Sequence, residues 1–332
     1  MSTEYCAAIL QGFQYVMQQD RRCFCIGQGL WSPWYVGRSM DGLDKRFGRE
    51  RVIDTPVSEN ATTALAVGAA LHGYRPIVIH PRMDFMILAT DAMVNQAAKW
   101  RHMLGGHTSP AMVVRGIINR GGEQGAQHSQ ALHSWYAHIP GLRVVMPATP
   151  SDARDLLIAA VQSPDPVLYV DDRWLYDWSA DLPPPADVDL TTLGPQVLRE
   201  GADVTLAGAS YSVRLAMDAA EILAAEGLSC EVVDQRILNP FDGGTVAASV
   251  RKTGRLIAID GSWSTCGLAG EIIASVSERL APGAWRAAPA RITLPAAPAP
   301  TSRPLEAAYY PTAVEVAEAV RKMVRDDPRL AP

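Results

Sequence analysis

Short apolar runs alternate with segments of helical period along most of the chain, the sequence form of an α/β fold with largely parallel strands. In the first half, residues 76–79, 111–114, 144–146 and 167–170 read as strands. Residues 91–104 read as a helix, because Met93, Ala97, Trp100 and Leu104 fall on one stripe while Asn95, Lys99 and Arg101 lie off it, and Gly105-Gly106 ends the pattern. A second helix announces itself at Thr149: the hydroxyl can cap, Pro150 suits the first helical position and Asp152 follows three residues after the cap. Its buried face is expected to carry Ala153, Leu156, Leu157 and Ala160.

Residues 177–193 carry Pro183-Pro184-Pro185, scattered acids and no clear period, and read as an extended crossing linker. The expected organisation is therefore a domain over 1–177, a linker over 178–193 and a second domain over 194–332. The alternation resumes with strands at 204–207, 230–233 and 256–259, helices near 213–226 and 268–280, and a closing helix at 313–324. Residues 281–303, rich in Ala and Pro, are expected to wrap a surface.

A chain of 332 residues exceeds what one core usually fills, which supports the two-domain reading. With 48% hydrophobic and 20% charged residues it reads as soluble and globular, without an apolar run of the ~20 residues a membrane span needs. The start, MSTEYCAAILQGF, does not read as a secretory signal, and the five cysteines form no paired CxxC sets, so a cytoplasmic location is expected, or a mitochondrial matrix one if a presequence was removed. A net charge of -5 with scattered Lys and Arg argues against a nucleic-acid partner.

No self-contained catalytic motif is present. Gly27-Gln28-Gly29 follows an apolar run, but Ser32 stands where a dinucleotide fingerprint needs its third glycine. What remains is a set of residues beside apolar strands. Glu59 leads into the small-residue helix 61–70, where a carboxylate can be a simple helix-start residue or a proton carrier. His128 follows the loop containing Gly121 and Gly122, and is structural or catalytic on pattern alone. Phe85 is most simply a core aromatic.

Taken together, RVIDTPVSENATTALAVGAALHGYRPIV, DAMVNQAAKWRHMLGG and GAQHSQALHSWYAHIPGLRVVMPATPSDARDLL resemble the beta subunit of pyruvate, branched-chain and acetoin dehydrogenase complexes. The resemblance continues through VVDQRILNPFD, VRKTGRLIAIDGSWSTCGLAGEI and PLEAAYYPT, and covers nearly the whole chain. It implies a doubly wound pyrimidine-binding domain of the transketolase type followed by a doubly wound transketolase C-terminal domain. It also implies thiamin diphosphate shared with an alpha subunit, in an assembly of two alpha and two beta chains with a beta-beta contact. The diphosphate and its magnesium belong to an alpha-chain GDG segment that has no counterpart here.

By the same resemblance Glu59 contacts the pyrimidine nitrogen of the cofactor, Phe85 packs on the ring, Val57 joins the cofactor contacts, and His128 assists acyl transfer to a lipoyl group. A structural potassium is implied at Met112, Ala160, Val161, Ser163 and Asp165, with Ser163 in place of the usual Asp. Gln28-Gly29 replaces an acidic pair, and the bulky stretch Leu30-Trp31-Ser32-Pro33-Trp34-Tyr35 replaces a glycine-rich one. The implied activity is that of a decarboxylating 2-oxoacid dehydrogenase passing an acyl group to a lipoyl carrier, whose acyltransferase would dock on the C-terminal domain. A transketolase-like or acyl-condensing enzyme, and a non-catalytic partner subunit, remain as alternatives.

Overall fold

The computed structural model of the chain describes residues 2–32 and 34–326. Two units emerge: the first runs to Arg120, resumes over Gln127–Leu193 and takes in Leu238–Pro240; the second holds Gly121–Ala126, Gly194–Ile237 and the chain from Phe241 onward.

In the first unit β1 (Ser2–Glu4) pairs antiparallel with β8 (Ser179–Asp181), while β2 (Cys23–Gly27), β3 (Val52–Asp54), β4 (Arg75–His80), β5 (Val113–Ile118), β6 (Arg143–Val145) and β7 (Val167–Asp172) form a sheet ordered β6-β7-β5-β4-β2-β3. In it β2 pairs parallel with β3 and β4, β4 with β5, and β7 with β5 and β6. Every residue of β5 and β7 is buried, as expected of strands covered on both faces, where apolar runs replace alternation. Gly27 permits the approach of β2 to β4, since a Cβ there would lie 2.4 Å from the carbonyl oxygen of Ile79.

The helix Pro150–Gln162 begins as the sequence predicts: the Asp152 N–H donates to Thr149 Oγ1 at 3.1 Å, and Ala153, Leu156, Leu157 and Ala160 are buried. It packs against Tyr5–Gln19, a helix absent from the expected elements, whose buried face runs through Tyr5, Ile9, Phe13 and Val16. Residues 91–104 differ from the expected single helix. Ala92–Ala97 is π-helical and Ala98–Met103 α-helical. The wider π turn changes the phase of the stripe, so Met93 and Ala97 are buried while Leu104 is exposed.

In the second unit β9 (Gln196–Arg199), β10 (Val204–Gly208) and β11 (Cys230–Asp234) precede β12 (Ile237–Asn239), whose Leu238 and Asn239 belong to the first unit and continue its sheet beside β6. With β13 (Leu256–Trp263) and β14 (Ala290–Leu294) the second sheet is ordered β14-β13-β10-β11-β9, and β9 is its antiparallel edge. Helices Tyr211–Ala224, Gly244–Thr253, Leu268–Arg279 and Ala313–Arg325 accompany it, the last held by a Thr312/Glu315 capping box. The stretch expected only to wrap a surface contributes β14, whose ARITL run pairs parallel with β13.

Among the described residues no helix is long and apolar enough to cross a membrane. Cys6, Cys23, Cys25 and Cys230 are buried and Cys266 is exposed. Burial pushes the Cys23 and Cys230 thiols up to about 12, which keeps them protonated and unreactive at neutral pH.

Candidate active site

Strand β2 sits between β3 and β4, so the chain order reverses direction across it. Open parallel sheets place ligands outside the carboxyl ends of their strands at such a reversal. Those ends are Gly27, Asp54 and His80, and the residues just beyond them build the site. The loop after β2 is tied down by Asp54, whose Oδ1 accepts the Gly29 N–H at 2.6 Å and the Leu30 N–H at 3.3 Å.

Glu59 is the first residue of the helix Glu59–Leu71 and only 7% exposed. Its carboxylate makes no hydrogen bond or ion pair among the described residues, and its oxygens are not fully enclosed, so a largely buried side chain keeps an unpaired acid end open to a group from outside. The helix start favours negative charge there but satisfies no lone pair of the side chain. One turn on, Thr63 Oγ1 lies 3.1 Å from His80 Nε2. That bond joins the helix to the end of β4.

Burial lowers the His80 pKa to about 4, so the ring is neutral near pH 7. The unfolded chain binds a proton at His80 below its ordinary 6.5 and the folded chain does not until about 4, so this contribution is complete above 6.5 and is lost as pH falls to 4. Replacing His80 by Asn should therefore flatten the pH dependence of the unfolding midpoint within that window, by on the order of 3 kcal/mol at its lower end. A variant whose profile parallels that of the parent there would refute the assignment.

Phe85, in the helix Met83–Met86, meets His128 edge to face, with ring centroids 5.2 Å apart and planes at 78°. The neighbouring Asp84 Oδ1 accepts the Gln130 N–H at 3.0 Å, which fixes the loop carrying His128 against this short helix. Burial raises the Asp84 pKa while hydrogen bonds from Gln130 oppose the rise. The helix of Glu59 packs on that of Phe85, so the structure groups the elements bearing Glu59, Phe85 and His128. Val57, two residues before Glu59, is 72% exposed. His80 and Asp84 are additions that the sequence reading lacks. Each is a polar residue just where an apolar strand ends, a signal too common to single out alone.

Residues 2–177 match the transketolase pyrimidine-binding domain family, and residues 195–316 the transketolase C-terminal domain family. The beta subunit of acetoin:2,6-dichlorophenolindophenol oxidoreductase from Cupriavidus necator is 39% identical over 284 residues, 86% of this chain and 83% of that protein. The pyruvate dehydrogenase E1 component beta subunit of Rickettsia felis is 35% identical over 95% of this chain and 96% of its own length. The chain belongs to the E1 beta-subunit family. The human mitochondrial E1 beta subunit is 34% identical over 95% of this chain and 89% of its own length. A split-gene transketolase, described as an inactive beta4 tetramer, shares the fold at a TM-score of 0.77 and 20% identity, covering 98% of this chain and 99% of that one. The transketolase-type α/β fold with two domains is thus the fold of this E1 beta subunit.

The potassium loop expected from the family meets an obstacle. Arg75 Nη1 donates to the carbonyl oxygens of Val161 at 3.0 Å and Ser163 at 2.6 Å, and the Met112 carbonyl accepts the Val167 N–H at 2.9 Å. The Asp165 carboxylate is held by Arg101 and by Arg143 Nε, the latter at 3.0 Å. Ala160 is buried on the preceding helix. A guanidinium already takes two of the oxygens assigned to the ion and places a positive charge against them, so these residues do not fit potassium.

Proposed function

We propose that this E1 beta subunit forms half of the active site of a decarboxylating 2-oxoacid dehydrogenase that uses thiamin diphosphate and passes the acyl group to a lipoyl carrier. The observation that carries the reading is the buried, partnerless carboxylate of Glu59 beyond the carboxyl end of β3, in a chain whose relatives are named as E1 beta subunits. A carboxylate in that state suits a basic ring nitrogen that approaches from outside the chain, so the residues fit the cofactor's pyrimidine. When bound, thiamin diphosphate supplies the electron sink for loss of carbon dioxide from a 2-oxoacid.

In this reading Glu59 shares a proton with the pyrimidine nitrogen. Phe85 packs on the ring, and its edge contact orients His128. The His128 imidazole delivers a proton to the dithiolane sulfur of the lipoyl group. An alpha subunit completes the site, holds the diphosphate and magnesium, and joins in a two-alpha two-beta assembly with a beta-beta contact. The exposed side chains of Val57, Leu65, Ile87 and Leu88 supply apolar surface near the helix of Glu59 for that partner. The lipoyl acyltransferase belongs at the C-terminal domain, and the location is cytoplasm or mitochondrial matrix.

Combining the chain with its alpha subunit and thiamin diphosphate should give 2-oxoacid decarboxylation coupled to an artificial electron acceptor; no turnover across a broad panel of acids would remove the enzyme reading. In that assembly His128→Ala should slow lipoyl acylation by about 10²-fold or more while preserving part of the decarboxylation. Equal loss of both activities would make His128 a structural residue. Because Arg75 occupies the carbonyls of Val161 and Ser163, exchanging potassium for sodium should leave the unfolding midpoint unchanged, as linkage requires when no ion binds. A midpoint that climbs with potassium alone would restore the ion.

A further inference from the structure

Two arginines stand on the same edge of the sheet as Glu59 without a carboxylate to meet them. Arg82 follows β4 and Arg173 follows β7, and they flank Tyr35 of the loop after β2. The Arg82 guanidinium carbon lies 5.9 Å from the Tyr35 ring centroid, and Arg173 Nη2 donates to the Tyr35 carbonyl oxygen. The Nε–H groups of both arginines are buried and have no acceptor. Arg82 otherwise donates only to the carbonyl of Pro81, at 3.1 Å.

Among the described residues no neighbouring acid is paired with either arginine. Asp171 pairs with Arg115 at 2.8 Å and Asp172 with Arg120 at 2.6 Å, while Asp84 accepts from Gln130 through Oδ1 and acts on Arg82 by charge alone. Gln28 Nε2 donates to the Tyr35 hydroxyl at 3.2 Å, leaving that hydroxyl's own proton available. The loop is closed on this arrangement: Gly29 has φ +70°, and a Cβ there would fall 2.2 Å from Tyr35 Cδ1. Burial, and then the charge of Arg173, lower the Arg82 pKa, and Tyr35 and Asp84 only partly oppose them, the direction expected when two guanidinium groups share a half-buried space.

We propose that Arg82, Arg173 and Tyr35 form a subsite for an anionic group, a carboxylate or a phosphate, carried by the substrate away from its reacting carbonyl. The inference rests on the 2-oxoacid reading above and narrows it to acids with a second anionic end. The geometry favours an oxyanion because the unused atoms of Arg82 and Arg173 are N–H donors, and paired guanidinium groups match carboxylate and phosphate oxygens with charge-assisted bonds. The position, three residues before Phe85, puts the subsite beside the elements that would hold the cofactor.

The test uses the assembled enzyme and three 2-oxoacids of matched length, ending in a carboxylate, a phosphate or a methyl group. The parent should favour one anionic acid over the methyl-ended one in kcat/KM, and the better of the two names the ligand. Arg82→Gln or Arg173→Gln should cut that preference by about 10- to 100-fold, chiefly through KM, and Arg82→Lys should restore part of it. A parent that favours the methyl-ended acid, or a preference untouched by both glutamine variants, overturns the proposal, as does a tetramer that falls apart in these variants, which would make the arginines partner contacts. If no 2-oxoacid is turned over, the functional reading fails by itself, and calorimetric titration of the assembly with inorganic phosphate decides the subsite. Binding by the parent and not by Arg82→Gln or Arg173→Gln sustains it, and absence of binding by the parent overturns it.

Discussion

Glu59→Gln is expected to lower turnover of the assembled enzyme by about 10²- to 10⁴-fold, the usual contribution of a positioned acid or base, without disturbing assembly. Glutamine has nearly the same shape and can still accept a hydrogen bond, but it cannot exchange a proton with a ring nitrogen. The helix start loses a favourable charge interaction of about 0.3 to 1 kcal/mol. Against this, the variant no longer holds a largely buried carboxylate that has no partner among the described residues, so the folded state should be as stable as the parent or more so. The signature is therefore a split: activity falls while the unfolding midpoint holds or rises. Exchange of the thiazolium proton for deuterium gives a second reading, and it should slow in parallel with turnover. Parent-like turnover in the variant would sink the role, and a large loss of stability would return Glu59 to the rank of a helix-start residue.

The helix at Thr149 was legible because cap, proline and apolar face are all local, and a single hydroxyl–amide bond enacts them. Tyr5–Gln19 carries an equally regular stripe, yet its N-cap Glu4 makes no side-chain cap, so only the period marks it. The π segment Ala92–Ala97 was hidden for a different reason. Its stripe reads as an ordinary helical period, and nothing in the local sequence marks the wider turn. Strand β14 was obscured by the Ala- and Pro-rich sequence around it.

In the site, Glu59, Phe85 and His128 acquire meaning only together, since each alone has a bland reading. Their grouping depends on β4 lying next to β2, which no local pattern encodes. Arg82 and Arg173 are more than ninety residues apart in sequence, so their pairing around Tyr35 could not be read from spacing. Of the aromatic stretch after β2, Trp31 is anchored through its indole N–H to the Val52 carbonyl at 2.8 Å, Trp34 is 86% exposed, and Pro33 lies outside the described residues.

Asp171→Asn should destabilise the first unit by about 3 to 5 kcal/mol, the cost of leaving a buried guanidinium without its counter-charge. Arg115 and Asp171 are both fully buried and joined by two bonds of 2.8 Å, from Nε to Oδ1 and from Nη2 to Oδ2. Tyr176 completes the cluster, donating its hydroxyl to Asp171 at 2.7 Å and accepting from Arg115 at 3.0 Å. Burial alone would lower the Arg115 pKa, but the charge of Asp171 more than offsets it; without Asp171 the intrinsic basicity of a guanidinium still keeps it charged at neutral pH. Parallel pairing sets Arg115 opposite Tyr169 and Ile117 opposite Asp171, so Arg115 and Asp171 share one face of the sheet on adjacent strands. A slip of one residue would send them to opposite faces, which gives the pair a second consequence, the register of β5 against β7. That register sets where Arg120 and Arg173 emerge at the functional edge.

The double replacement Arg115→Met with Asp171→Leu separates the two effects. It should recover most of the stability lost in Asp171→Asn, because a packed apolar pair carries no desolvation penalty. Turnover should recover less than stability if the ion pair also holds the edge in place. Urea midpoints of the assembled protein, read beside turnover, decide the matter. A shift below about 1 kcal/mol for Asp171→Asn would mean that water reaches the pair and that it behaves as a surface bridge.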